Sequence, residues 1–370
     1  MTDFAWPFFP IVALLGAVLP LIPLSWHLQA WNSGTCYYMI WASILCLNQF
    51  VNAIVWHGTA IDFAPVWCDI STRIIVAGNV AIPLTSLCIN RRLYNIARIH
   101  GVSLTKDDKR RAVIVDSLIC VGGPLLQVAL YTIVQGHRYN ILEDVGCWPA
   151  LVWTLPTLFL FQLWPILIGA ISGIYCVLSL RALFQRQAQF SQFLASNKAV
   201  SASRYMRLMA LAGTDVLSTV PVALLMLVVN CQQAFSPYAW ADVHYNFGQV
   251  NQLPTFEWAA DTWTLVGVQL TRYAAPLCAL VFFAFFGFAE EARRNYAAAF
   301  RAAFGPLAWL SGWRISIHHA SASAASSQAT LTSTCKFDVE KGWPQKSLDG
   351  SDDVPFTPVS FTTPSYDARF

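Results

Sequence analysis

The sequence predicts an all-α membrane protein, a seven-transmembrane helix bundle with its N-terminus outside and its C-terminus inside. Three observations predict it. Hydrophobic residues make up 56% of the 370 residues and charged residues only 12%, about half the charge a soluble domain of this size uses to cover its surface. Seven stretches are long and apolar enough to cross a bilayer. The basic residues fall almost entirely on one side of those stretches. The net charge of +3 is too small to suggest a nucleic-acid partner.

A spanning helix needs about 20 mainly apolar residues, because the hydrocarbon core is ~30 Å thick and each residue rises ~1.5 Å. The stretches 7–28, 35–56, 66–89, 112–134, 157–180, 208–230 and 263–288 meet this. The first reads as a retained helix, since Met1–Trp6 carries Asp3 and no Lys or Arg, unlike a cleaved signal peptide. A short loop, 29–34, makes the first two antiparallel neighbours. The runs 74–87 and 279–288 are almost continuously apolar, which favours helices over the alternating strands of a membrane barrel. No internal repeat is visible, and this lowers the weight of a transporter of duplicated design.

Twenty of the 23 Lys and Arg lie in the loops after spans three and five or beyond span seven; Arg138 alone falls on the other side, and Arg73 and Arg272 lie within spans. Excess Lys and Arg mark the cytoplasmic side, which sets the orientation. The other side is mildly acidic, with Asp3, Asp62, Glu143, Asp144, Asp242, Glu257 and Asp261. The chain then divides into a core of 1–288, an inner-surface amphipathic helix over 289–304 (AEEARRNYAAAFRAAF), and a Ser/Thr/Pro-containing tail over 305–370, largely disordered by composition. The tail carries Thr357-Pro358 and Thr363-Pro364, sites for proline-directed phosphorylation or simply an unmodified tail.

Several chemistries are excluded. The lysines are Lys106, Lys109, Lys198, Lys336, Lys341 and Lys346, all in loops or tail, so no helix offers a Schiff-base amine for retinal. The sequence has no HExxH and no CxxC. No catalysis, cofactor or metal is expected.

The third span reads Trp67-Cys68-Asp69-Ile70-Ser71-Thr72-Arg73, then Ala81-Ile82-Pro83, then Asn90-Arg91-Arg92-Leu93-Tyr94. The first contributes Leu19-Pro20-Leu21-Ile22-Pro23-Leu24-Ser25-Trp26-His27 and the second NQFVNAIVW over Asn48 to Trp56. Gln135-Gly136-His137-Arg138-Tyr139-Asn140, Gly146-Cys147, Leu178-Ser179-Leu180-Arg181, and Phe286-Gly287-Phe288-Ala289-Glu290-Glu291 follow. This ordered set, over about residues 5–300, resembles the fungal a-factor-type (lipopeptide) mating pheromone receptors, a class D G-protein-coupled receptor family. The tail takes no part in the resemblance, and the 29–34 loop has Gln29 and Trp31 where more basic character is expected.

The resemblance implies a multi-pass plasma-membrane receptor that binds an extracellular farnesylated peptide and activates a heterotrimeric G protein. Ligand contact is expected from Asp69, Arg73, Trp240, His244, Phe247, Trp258 and Arg272. The aromatic residues of the loop before span seven, Tyr238, Tyr245 and Phe256 among them, either line a lid or form an interfacial belt. The G protein is expected to meet Arg91, Arg92, Arg98, Arg110, Arg111, Arg181, Arg186, Arg204 and Arg207; anionic lipid explains the same charges. A seven-helix transporter and a receptor-like chain signalling without pheromone remain alternatives. The pheromone, the mating specificity and any homo-oligomer are left open.

A charge in lipid needs a partner or water. Asp69 and Arg73, four apart, predict a local ion pair, the alternative being that Arg73 or Arg272 meets a peptide backbone. Asp116 and Asp215 are candidate partners for arginines on the inner face, hence for a resting-state lock. Pro83, Pro124, Pro165, Pro221 and Pro276 interrupt five spans, with Pro221 and Pro276 the hinge candidates. Cys68 and Cys147 fall on the same outer, oxidising side, either bridged or as free thiols.

Overall fold

The computed structural model describes residues 6–98, 105–185, 202–231, 235–288 and 292–293, apart from the side chains of 183, 202–204 and 215. The segments assigned from sequence to a surface helix and a tail, 292–293 excepted, lie outside the described residues, as does the Asp215 side chain.

Among the described residues seven helices are long and apolar enough to cross a membrane: span one (Phe8–Gln29), span two (Ser33–Val55), span three (Pro65–Arg98), span four (Lys106–Val134), span five (Leu155–Ala182), span six (Tyr205–Cys231) and span seven (Thr262–Phe286). Each contains the apolar stretch that predicts it, to within a few residues at the ends. The largest differences are at spans three and four. Span three has 34 residues, ~51 Å of helix, well beyond a ~30 Å hydrocarbon core. It continues through Arg91 and Arg92 because both find intramolecular partners. Span four starts six residues before the predicted 112, because Thr105 caps it: its hydroxyl accepts from the Asp108 N–H while the Asp108 carboxylate accepts from the Thr105 N–H. Span one is broken by a 3₁₀ turn at Leu19–Leu21, where Pro20 sits.

The largest cluster of buried side chains, with Tyr38, Met39, Ile89, Leu93, Tyr205 and Phe282 among its members, joins spans one, two, three, six and seven. Lipid tails are as apolar as these side chains, so close packing rather than burial from water holds the helices together.

Where spans two and three, four and five, and six and seven connect, the bundle carries a feature that the all-α expectation does not contain. Strands β1 (Tyr139–Leu142), β2 (Gly146–Trp148) and β3 (Val250–Leu253) form a sheet in the order β2-β1-β3. β1 and β2 are an antiparallel hairpin, whereas β3 joins β1 in parallel, Tyr139 opposite Val250 and Leu142 opposite Leu253. This is the sheet end; the opposite end, with most of the described arginines, is the basic end.

The hairpin turn depends on Gly146. Its φ is +93°, and an added Cβ would stand 2.7 Å from Cβ of Asn52. Gly146→Ala is therefore expected to cost about 1–3 kcal/mol, the usual range for backbone strain of this kind. A lowered melting temperature of the detergent-solubilised protein checks it.

Candidate functional site

Cys68, at the start of span three, is bonded to Cys147 of β2, with sulfurs 1.99 Å apart. Both are fully buried with Trp56, Tyr139 and Ile141. Of the two alternatives for this cysteine pair, the bridge is the one present.

The expected Asp69–Arg73 pair is not formed. Asp69 instead takes the fork of Arg138, Oδ1 to Nε at 3.1 Å and Oδ2 to Nη2 at 2.6 Å. The Arg138 guanidinium presents two N–H groups side by side to the carboxylate, and such a forked pair is stronger than a single contact. The Asp69 hydrogen bonds hold the Arg138 guanidinium above its ordinary pKa. Arg73 lies over the Tyr131 ring, 5.4 Å from its centroid. Both Asp69 and Arg138 side chains are 38% exposed, so a double-mutant cycle is expected to give a coupling below about 1 kcal/mol. Thermal unfolding of the two single variants and the double variant measures it.

The hairpin turn is the hub of the sheet end, a role the sequence reading missed. Asp144 Oδ1 accepts from Gly58 N at 2.8 Å and from His57 Nδ1 at 3.1 Å, and Oδ2 from Thr255 Oγ1 at 3.3 Å. The neighbouring Glu143 carboxylate accepts from Thr255 N at 2.7 Å. Two adjacent acids thus bind the loops on either side to the hairpin. Trp6 stacks on His57 at 4.0 Å. Tyr139 donates to Asp62, and burial together with the Asp62 charge pushes its phenol up to about 12.

The residues expected to meet a ligand are not gathered in one place. Trp240, His244 and Phe247 form a row: Trp240 stacks on His244 with ring centres 3.8 Å apart, and Phe247 lies tilted against His244 at 5.6 Å. His244 Nε2 reaches the Thr132 carbonyl at 2.9 Å, which pins the row to the end of span four. Trp258 is buried under the hairpin with Leu142, Val145 and Val268, its indole N–H donating to the Glu143 carbonyl at 3.3 Å. Arg272 is 2% exposed inside the bundle, its guanidinium 3.9 Å from the centre of the Phe9 ring. Trp240, Tyr245 and Phe256 are 60%, 83% and 81% exposed.

Span seven begins with Asp261 as its cap, the carboxylate accepting from both Thr264 N and Thr264 Oγ1 at 2.8 Å. These bonds hold the Asp261 carboxyl below the usual carboxylate range. A depressed folded pKa means that the stabilisation is complete above the ordinary value of ~3.9 and lost as pH falls through the folded one. Protection of the Thr264 amide, corrected for intrinsic exchange, is expected to fall on acidification below about pH 4.

At the basic end the expected arginine surface divides. Arg98, Arg110, Arg111 and Arg181 are exposed. Arg91 and Arg92 are half-buried and hold intramolecular partners. Arg91 Nη2 pairs with Asp116 Oδ1 at 2.7 Å, and Asp116, 3% exposed at its side chain, also accepts from the Ser33 hydroxyl. Arg92 donates to the Trp31 carbonyl and, at 3.5 Å, to that of Ala30, which ties the 29–34 loop to span three. Arg207 lies 6.0 Å from the Phe286 ring centre. Arg186 and the Arg204 side chain lie outside the described residues. Asp116 thus has the arginine partner expected of it.

Seven apolar helices with a disulfide-tied cap make this a multi-pass membrane protein with the architecture of a heptahelical receptor. Residues 8–305 match the family model described as "Pheromone A receptor". The chain is 51% identical over 301 residues to the pheromone B alpha 3 receptor of Schizophyllum commune, covering 81% of this chain and 48% of that one. It is 36% identical over 306 residues to pheromone receptor 1 of Mycosarcoma maydis, covering 82% and 85%. The pheromone a factor receptor of Saccharomyces cerevisiae is 23% identical over 241 residues, covering 63% and 50%. The chain belongs to the pheromone A receptor family. It matches about half the length of its Schizophyllum relatives.

Proposed function

We propose that the chain is a plasma-membrane mating pheromone receptor that binds a farnesylated peptide at the sheet end and activates a heterotrimeric G protein at the basic end. The observation that carries this is the family match over residues 8–305, which takes in all seven spans. The sheet end faces outward in this reading, because the arginines of the opposite end belong in the cytoplasm and a disulfide belongs in an oxidising compartment. The chain signals by conformational change rather than by catalysis, the ligand preferring the active arrangement of the helices.

The exposed row Trp240–His244–Phe247 and the half-buried Arg73 are the contacts we assign to ligand. Trp258 and Arg272 support the site from within the packing, and Asp69 supports it by holding Arg138. An apolar prenyl chain gains about 0.8 kcal/mol per buried CH₂, which suits a site beside lipid. Arg98, Arg110, Arg111 and Arg181 are the arginines we assign to G-protein contact. Pro221 and Pro276 remain the proposed hinges of spans six and seven, and segments 289–304 and 305–370 the proposed surface helix and tail.

Guanine-nucleotide exchange by reconstituted heterotrimeric G protein, with a panel of synthetic farnesylated peptides, tests the reading. Peptide-dependent exchange is the expected result. Solute flux without exchange would establish a transporter, and strong exchange without any peptide would establish constitutive signalling.

A further inference from the structure

Two prolines release carbonyls that a neighbouring span takes up. Proline has no N–H, so the carbonyl four residues before it loses its helical partner. Pro124 frees the carbonyl of Cys120 in this way, and Pro165 that of Phe161. Both carbonyls lie in π-helical turns, Leu118–Gly122 in span four and Leu158–Gln162 in span five. Trp41 of span two donates its indole N–H to the Cys120 carbonyl at 2.9 Å. Asn79 of span three donates to the Phe161 carbonyl at 3.4 Å, and Gln127 to that of Leu160 at 3.2 Å. Lipid offers no water for such groups, so side chains on other helices hold both turns.

The turn in span four has more attached to it. Ser33, Tyr37 and Trp41 are spaced four apart and occupy one face of span two. They grip in succession the Asp116 carboxylate, the Ser117 hydroxyl at 2.8 Å, and the Cys120 carbonyl. The basic-end segment of span four is thereby fastened to span two, and through Arg91 to span three. Gly122 closes the turn and Gly123 follows it. A Cβ added at Gly122 would meet nothing within 4 Å, whereas one at Gly123 would stand 2.4 Å from Leu84 Cδ1, so the turn is open on its Gly122 side and packed against span three at Gly123. Turns of this type are frequent at functional sites.

We propose that Leu118–Gly122 is a conformational latch in signalling. The Ser33–Tyr37–Trp41 ladder holds the basic-end segment of span four in its π register. Releasing the Trp41 bond lets that segment wind toward α-helical register, a rotation of about 100° per residue gained, and this carries Asp116 off Arg91. Trp41 is a positioning residue that acts through the Cys120 carbonyl. The signalling half of this proposal rests on the receptor reading above; the latch itself does not.

Hydrogen exchange of the full chain in detergent, followed by mass spectrometry, tests the latch without ligand. Trp41→Phe keeps the aromatic ring and removes only the donor. Exchange over 118–123 is expected to rise roughly two- to tenfold, the population change that loss of one hydrogen bond brings. The second turn, 158–163, should stay unchanged. No rise, or an equal rise in both turns, overturns the latch.

Pro124→Ala supplies the Cys120 carbonyl with a backbone donor of its own. It is expected to slow exchange over 118–123 and to abolish the effect of Trp41→Phe in the same chain. A Trp41→Phe effect that persists undiminished in the Pro124→Ala background also overturns the proposal. In the nucleotide-exchange assay with farnesylated peptide, Trp41→Phe should raise ligand-independent activity and Pro124→Ala should blunt the response. A full response from a Pro124→Ala protein with a protected turn overturns the signalling role. A wild-type chain deaf to every peptide brings down the receptor reading instead, and the ligand-free exchange results still decide the latch.

Discussion

Cys68→Ser is expected to cost the largest share of stability of any single change at the sheet end. The bridge closes a loop of sequence separation 79, for which the chain-entropy relation gives about 4.5 kcal/mol. That figure is an upper bound in a membrane protein, whose inserted helices already restrict the unfolded chain. Cys147→Ser should cost the same, and the double variant no more than either, because a single bond is lost in all three. Melting temperatures in detergent, with and without reductant, measure it. Wild-type protein in reductant should melt with the variants. An oxidised wild type that melts with Cys68→Ser would remove the bridge from the stability of the cap.

Asp116→Ala is the second large effect. It strands the Arg91 guanidinium and takes the acceptor from Ser33. Breaking a buried ion pair by removing one partner costs about 3–5 kcal/mol. The lower end applies here, since the Arg91 side chain retains 28% exposure and reaches water. Asp116→Asn keeps an oxygen for Ser33 and Arg91 and should lose less. Thermal unfolding ranks the three proteins. In the receptor reading the same order should appear in ligand-independent nucleotide exchange, Asp116→Ala highest. An Asp116→Ala protein as stable and as quiet as wild type would show that the pair holds nothing closed.

The spans were legible because membrane crossing writes a local signal, some 20 apolar residues in a row. The Cys68–Cys147 bridge was legible as one of two alternatives, because the order of the spans puts both cysteines on one side of the bundle. The sheet was not. β1 and β2 are four and three residues long, too short to show a pattern, and β3 pairs with β1 across all of spans five and six. Parallel pairing over such a separation leaves no trace in neighbouring residues. Asp69 was paired with the wrong arginine for a related reason: helix spacing reveals Arg73 four residues on, whereas Arg138 is brought to Asp69 by the folded hairpin. Glu143 and Asp144 were visible only as surface acids, since their donors come from two other loops. The hold of Trp41 on Cys120 was hidden likewise, although Pro124 marked in advance which carbonyl would need a donor.

The unequal reach of the sheet's two pairings bears on how the molecule is assembled during synthesis. Cys68, Cys147 and the β1–β2 hairpin are all complete before span five is translated. β3 follows span six, so its place beside β1 can be filled only after two more helices have crossed the bilayer. A nascent chain can therefore carry a covalently closed first half while one edge of β1 still awaits its partner. The arrival of Val250–Leu253 is then the step that marks a chain whose first six spans have been made, and the β1 edge stays unfilled in any chain arrested before that point.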